Sequence, residues 1–158
     1  MNSEGGRITI LLVSDVELFL QLLNTYLGNR CFKTHTTRSG SEAMKMAYKM
    51  KPDLILIDMS IKDIPGDLLC HTLKNTPETA STPIVIISST SGKKTKEEAM
   101  QAGCDALLFK PIRRDQFLSA IEDCLGIKIR RHIRAKVSLP GTVFLNQKQI
   151  ATTIRCLT

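Results

Sequence analysis

The sequence contains no tryptophan, and only two tyrosines and five phenylalanines among its 158 residues. Its interior must therefore be filled by aliphatic side chains. At 42% hydrophobic residues there are enough of them for one buried core, and the length suits one domain with an appendage rather than two full domains. No apolar run approaches the roughly 20 residues that cross a bilayer, and residues 1–7 lack the apolar stretch of a secretory signal. The expectation is a cytoplasmic protein with no membrane partner. The five cysteines, at 31, 70, 104, 124 and 156, form no C-x-x-C pair. Their odd number and wide intervals argue against a disulfide framework or a zinc site, and favour thiols packed as small apolar groups in a reducing compartment. Internal repeats and low-complexity stretches are also missing.

One sign of charge is absent from part of the chain. Residues 127–158 hold Lys128, Arg130, Arg131, Arg134, Lys136, Lys148 and Arg155 but no Asp or Glu, whereas residues 1–126 balance 15 basic against 15 acidic side chains. The whole net charge of +7 thus belongs to the end of the chain. That break predicts two units, residues 7–126 and 127–158. An acid-free basic segment suits phosphates, whether of a nucleotide, a nucleic acid or a membrane surface. A solvated tail is the alternative reading.

Within the first unit, short apolar runs alternate with helical patterns. Residues 8–13, 53–58, 83–88 and 106–109 read as buried strands, and 32–36 as a weaker one. Helices are expected over 17–28, 39–50, 68–75, 95–102 and 113–125. In the first of these, Leu18, Leu22, Leu23 and Tyr26 fall at helical spacing. In the second, Ser39 and Glu42 form a capping-box pattern, and Met44, Ala47 and Tyr48 are expected to face inward. Strands that are apolar throughout are buried on both faces, which means a parallel sheet covered by helices. Five strand–helix units then predict a doubly wound α/β fold with the flavodoxin-like strand order 2-1-3-4-5. Beyond Gly126, strands are expected over 136–145 and 150–156, a segment too small to bury a core alone.

In an open parallel sheet, chemistry gathers at the carboxyl ends of the strands. Those ends deliver Ser14 and Asp15, then Asp58, then Ser88, then Lys110. Singly, each has an ordinary explanation as a turn residue or a surface group. Jointly they supply two carboxylates, a hydroxyl and an ammonium to one edge. Two carboxylates can hold magnesium through oxygen ligands. One of them can act as nucleophile toward phosphorus, with the lysine and the hydroxyl sharing the phosphoryl oxygens.

At these residues the chain resembles a response-regulator receiver domain over about residues 7–126. The likeness lies in residues 53–58 with Gly66 eight residues after Asp58, in residues 83–89, and in residues 102–106 followed by Lys110-Pro111. The resemblance implies that Asp58 is phosphorylated by a histidine kinase or a phosphotransfer protein. It implies that Asp15, Asp58 and the Ser60 carbonyl bind Mg2+, that Ser88 contacts the phosphoryl group and moves on activation, and that Lys110 pairs with the phosphate before a cis proline bond. Such a domain is a switch and not an enzyme; a phosphatase of related chemistry needs a second acid where Ser60 stands. The chain also departs from the family pattern. Ser14 occupies the place of one of two adjacent acids, so magnesium should bind more weakly. Leu107 stands where an aromatic switch residue is common. A pseudo-receiver, acting as an interaction or dimerisation module without phosphorylation, is the alternative.

Residues 130–140 resemble the opening of a PilZ domain, with Arg130 and Arg134 at the spacing of its cyclic-diguanylate-gripping motif. Guanidinium groups suit this ligand because they fork onto phosphates and stack on guanine. The remainder of that family's site is expected beyond Thr158. A basic linker whose strand docks on a neighbour, giving a homodimer, is the competing reading. A nucleic-acid binder would want a recognition helix and interleaved aromatics, and neither is present.

Overall fold

The computed structural model describes residues 7–28 and 31–129, together with the backbone of residues 152–154. Strands β1 (Ile8–Val13), β2 (Phe32–Thr37), β3 (Leu54–Asp58), β4 (Ile84–Ser88) and β5 (Ala106–Phe109) alternate with helices α1 (Glu17–Leu27), α2 (Gly40–Met50), α3 (Gly66–Lys74), α4 (Lys93–Ala102) and α5 (Arg114–Leu125). The strands form one sheet in the order β2-β1-β3-β4-β5, parallel at every pairing. This is the doubly wound, flavodoxin-like fold read from the sequence.

The apolar strands divide their side chains between two cores with a period of two. Ile10, Leu12, Leu54, Leu56, Val85 and Ile87 meet α1 and α5 through Leu20, Leu23, Phe117 and Ile121. Leu11, Val13, Ile55, Ile57, Ile84 and Ile86 meet α2, α3 and α4 through Ala43, Ala47, Leu69, Leu73 and Ala99. Each fully buried Leu or Ile contributes about 2 kcal/mol. Small alanines on α2 and α4 let those helices lie close to the sheet, so cores without tryptophan still fill.

The far end of the sheet is pinned by two acids that stand just before strands. Asp53 accepts from the N–H of Thr9 and Asp105 from that of Ile84, each at 2.8 Å. Lys74 pairs with Asp105 at 2.8 Å and also donates to the Thr82 carbonyl. These contacts join the start of each of these strands to its neighbour.

Several sequence expectations need correction. On α1 the buried stripe is Leu20, Leu23 and Leu27, while Leu18 is 76% exposed and Leu22 is exposed as well. A leucine-rich segment satisfies more than one helical stripe, and packing against α5 chose between them. Tyr48 is 57% exposed, and Ala43 takes the inward place beside Ala47. Helices α3 and α4 begin at Gly66 and Lys93, two residues earlier than expected, because their first two residues, Gly-Asp and Lys-Lys, carry no large apolar side chain to announce them. Arg113 is the cap of α5 rather than its first residue.

After α5, Gly126 turns the chain at φ 64° into β6 (Ile127–Ile129). Ile127 and Ile129 join the α1/α5 core, and the Ile129 N–H donates to Glu122 Oε1 at 2.9 Å. Strand β7 (Thr152–Ile154) pairs parallel with β6. The strand expected over 136–145, and the arginines at 130 and 134, lie outside the described residues.

Among the described residues, cysteine behaves as expected except at one position. Cys70, Cys104 and Cys124 are free thiols, whereas Cys31 is disulfide-bonded. Intervals along a chain do not report which sulfurs folding brings together, so spacing gave no warning of this. Burial pushes the free thiols up to about 12, 11 and 12 for Cys70, Cys104 and Cys124 respectively. Raised thiol values favour the neutral, folded form. Their contribution to stability is full below the unfolded value of about 8.5 and is lost as the pH rises through the folded values. At pH 8 these three thiols should react with an aromatic disulfide reagent roughly a hundredfold more slowly in the native chain than in denaturant, as followed by absorbance.

Candidate functional site

Strand order reverses between β1 and β3, and the crevice beyond their carboxyl ends is where this fold places its chemistry. Asp58 ends β3 there and is 1% exposed. A buried carboxylate must have its charge met by donors, and four converge on it. Lys110 Nζ, from the end of β5, donates to Oδ2 at 2.7 Å, and Ser14 Oγ, from the end of β1, donates to the same oxygen at 2.9 Å. Ser60 donates to Oδ1 through its N–H at 3.1 Å and its hydroxyl at 2.9 Å. Burial pushes the Asp58 carboxyl up. The hydrogen bonds from Lys110 and Ser60, with the lysine charge, outweigh that and hold it below its ordinary value.

Lys110 is itself guided. Its ammonium lies 4.2 Å from the ring centroid of Phe19 on α1, a cation–π contact, and the Lys110-Pro111 bond is cis as the resemblance implied. Tyr26, two turns along the same helix, donates to the Ile112 carbonyl at 3.1 Å. Helix α1 therefore holds the segment carrying the lysine at two points.

The loop between β3 and α3 is fastened on three sides. Gly66 closes over Asp58: a Cβ at this position would stand 2.6 Å from the Asp58 carbonyl oxygen. Only glycine allows α3 to begin there. Asp63 reaches across to α2, where Oδ1 accepts from the Gly40 N–H at 2.9 Å and Oδ2 from the Ser39 hydroxyl and the Ser41 N–H at 2.8 and 3.1 Å. These donors, Gly40 foremost, hold the Asp63 carboxyl far below the usual range. Ser39 caps α2 as expected, accepting from the Glu42 N–H. Glu42 does not reach back to complete a capping box; its carboxylate accepts from Thr37 Oγ1, and Asp63 satisfies the N-terminal donors instead.

The structure brings Ser14, Asp58, Ser60 and Lys110 into contact. Ser88, 3% exposed at the end of β4, is not among the groups bonded to Asp58; its hydroxyl donates to the Thr90 carbonyl and accepts the Thr90 N–H, both at 3.1 Å. Asp15 is half-buried. Its carbonyl accepts from Arg38 Nε at 3.2 Å, and among the described residues no donor engages its carboxylate. No group of three or more His, Cys, Asp or Glu side chains that could hold a metal occurs among the described residues. A cation here would rely on two carboxylates and a backbone carbonyl. That donor set, with one carboxylate unengaged, suits a hard divalent ion. Sequence reasoning overlooked Phe19, the Ser60 hydroxyl and Asp63. Phe19 follows Asp15 by one helical turn, which was a usable signal; an acid in a loop carries none.

Comparison with known proteins bears on the family and the fold. The profile of the response regulator receiver domain matches residues 10–122. The polar-differentiation response regulator DivK of Brucella ovis is 31% identical over 118 residues, which cover 75% of this chain and 96% of that protein. In fold, the chain is similar to the chemotaxis response regulator CheY4 of Vibrio cholerae, with TM-score 0.71, 22% identity, and coverage of 75% of this chain and 99% of that one. It is likewise similar to the receiver domain of the sensor histidine kinase PA1611 from Pseudomonas aeruginosa, solved with a magnesium ion in the active-site cleft. That match has TM-score 0.71 and 21% identity, covering 76% of this chain and 98% of that one.

Two measurements check the site's construction. Gly66→Ala should destabilise the fold by about 3 kcal/mol in urea titration, because the added carbon meets backbone that cannot yield. The depressed carboxyls of Asp58 and Asp63 favour the folded state when ionised. Their contribution should be complete above the unfolded value of about 4 and disappear as the pH falls through the folded values, with Asp63→Asn flattening part of that slope in thermal melts.

Proposed function

The chain belongs to the response regulator receiver family, and on that premise we propose that it is a phosphorylation switch of a two-component relay with Asp58 as the acceptor. The observation that carries the reading is the buried Asp58 carboxylate bonded to Lys110, the two groups coming from different strands to one edge. The donor is a phosphohistidine on a histidine kinase or phosphotransfer protein, and the setting is the cytoplasm. An Asp58 oxygen attacks phosphorus, the O–P bond forms, and the P–N bond breaks with its electron pair leaving on the imidazole, which takes up a proton. Asp58 needs no base, because it is held ionised at neutral pH.

Asp15, Asp58 and the Ser60 carbonyl would hold Mg2+, as the magnesium ion in the PA1611 receiver suggests by analogy. When bound, the ion would offset negative charge around the incoming phosphoryl group. Lys110 sits 2.7 Å from an acceptor oxygen, close enough to follow the transferred charge. The Ser88 hydroxyl, now on Thr90, would leave that bond to reach the phosphoryl group, and this rotation is the switch. Leu107 excludes a paired aromatic movement.

For output we infer a role for residues 127–158, with cyclic diguanylate as the candidate ligand. The support is the spacing of Arg130 and Arg134 in the sequence. The alternative of a phosphorylation-independent module is favoured by one observation, the serine at position 14.

Incubation with acetyl phosphate and Mg2+ should add the mass of one phosphoryl group, and Asp58→Asn should abolish the addition. Wild type that takes up no phosphate would select the alternative module. Lys110→Ala leaves a buried charge without its main partner. It should cost about 3 kcal/mol of stability and slow phosphorylation at least about tenfold, read by urea titration and mass spectrometry.

A further inference from the structure

A carboxylate offers about four lone-pair positions, and at Asp58 all four are taken. Ser14 Oγ and Lys110 Nζ occupy Oδ2, and the Ser60 N–H and hydroxyl occupy Oδ1. The four donors differ in how readily they leave. Ser60 is exposed, and its hydroxyl can turn to water. Ser14 is 1% exposed and cannot. Its N–H is bonded to the Thr37 carbonyl at 3.2 Å, and its hydroxyl oxygen accepts the Val16 N–H at 3.2 Å. With the oxygen held from one side, the hydroxyl's single proton is aimed at Asp58. At 1% exposure Ser14 is all but removed from solvent, so releasing Asp58 would cost a buried donor its partner.

We propose that Ser14 is a lock on Asp58: its hydroxyl competes with a divalent cation for the Asp58 carboxylate. Metal binding at the site is therefore weakened for a reason distinct from its missing charge. This rests on the reading of Asp58 and Asp15 as a cation site. Two causes of weak metal binding are then separable. An absent acid makes the site less negative, and any uncharged residue at position 14 shares that defect. A hydroxyl also draws on the Asp58 charge, and only a residue with a donor does so. The Asp15 carboxylate, which no donor engages among the described residues, is the open half of the pair, so a cation arriving there finds Oδ2 of Asp58 already committed.

The test is calorimetric titration of the full chain with MgCl2, comparing wild type, Ser14→Ala and Ser14→Asp, with circular dichroism to confirm folding. Ser14→Ala removes the donor and adds no charge, so it should bind Mg2+ about tenfold more tightly than wild type. Ser14→Cys keeps a side chain but donates weakly; it should fall between the two, and it carries the test if the alanine variant fails to fold. Ser14→Ala binding Mg2+ no more tightly than wild type, while Ser14→Asp does, would overturn the lock and leave only the missing charge. Weaker binding by Ser14→Ala would also overturn it, since Ser14 would then be helping to hold the ion. Phosphate uptake on Asp58 is read separately by mass. A chain that fails to phosphorylate can therefore still show the lock, and a chain that phosphorylates can still lack it.

Discussion

An ionised carboxylate that is almost wholly removed from water is tolerated only if donors replace the water it has lost. That demand at Asp58 organises the rest of the molecule. Lys110 must arrive from β5, Ser14 from β1, and Ser60 from the turn just beyond the acid. Parallel pairing of the strands in order brings those three ends to one edge. The aliphatic interior keeps the strands in register. Helix α1, through Phe19 and Tyr26, holds the lysine-bearing segment in place.

Much of the fold was legible because its strands are unambiguous. Three runs of uninterrupted Ile, Leu and Val, at 10–13, 54–57 and 84–87, are buried throughout, and five strand–helix alternations leave few parallel arrangements. Residues at strand ends could be named because parallel topology maps strand ends onto a shared edge. What failed was detail that depends on partners distant in sequence. The leucines of α1 offered several helical stripes, and only α5 and the sheet decide which is buried. Glu42 looked like a capping residue on local pattern, but Thr37 supplies a closer donor and Asp63 arrives from another loop. Cys31 illustrates the same limit, since its bonded state depends on a contact that spacing does not encode.

The departure at position 14 was visible as a missing charge and invisible as a hydrogen bond. A serine in place of an acid does more than subtract. It changes a mutual repulsion between neighbouring carboxylates into an attraction. Each Asp58 oxygen consequently accepts two hydrogen bonds from the protein's own donors. The carboxyl edge of the sheet is therefore a settled structure in itself, and no donor engages the half-buried Asp15 carboxylate there among the described residues.

The β3–α3 loop shows a further consequence of economical construction. Residues 59–65 are tied at their start by Ser60, in the middle by Asp63 on α2, and at their end by the close approach of Gly66 to Asp58. Each tie fixes a distance along the chain. Exchange of an exposed side chain between the ties, such as Lys62, disturbs none of them, but one residue added or deleted breaks at least one. Descendants of this sequence should thus keep the loop's length and its buried Ile61, whereas surface loops ordinarily tolerate insertions and deletions.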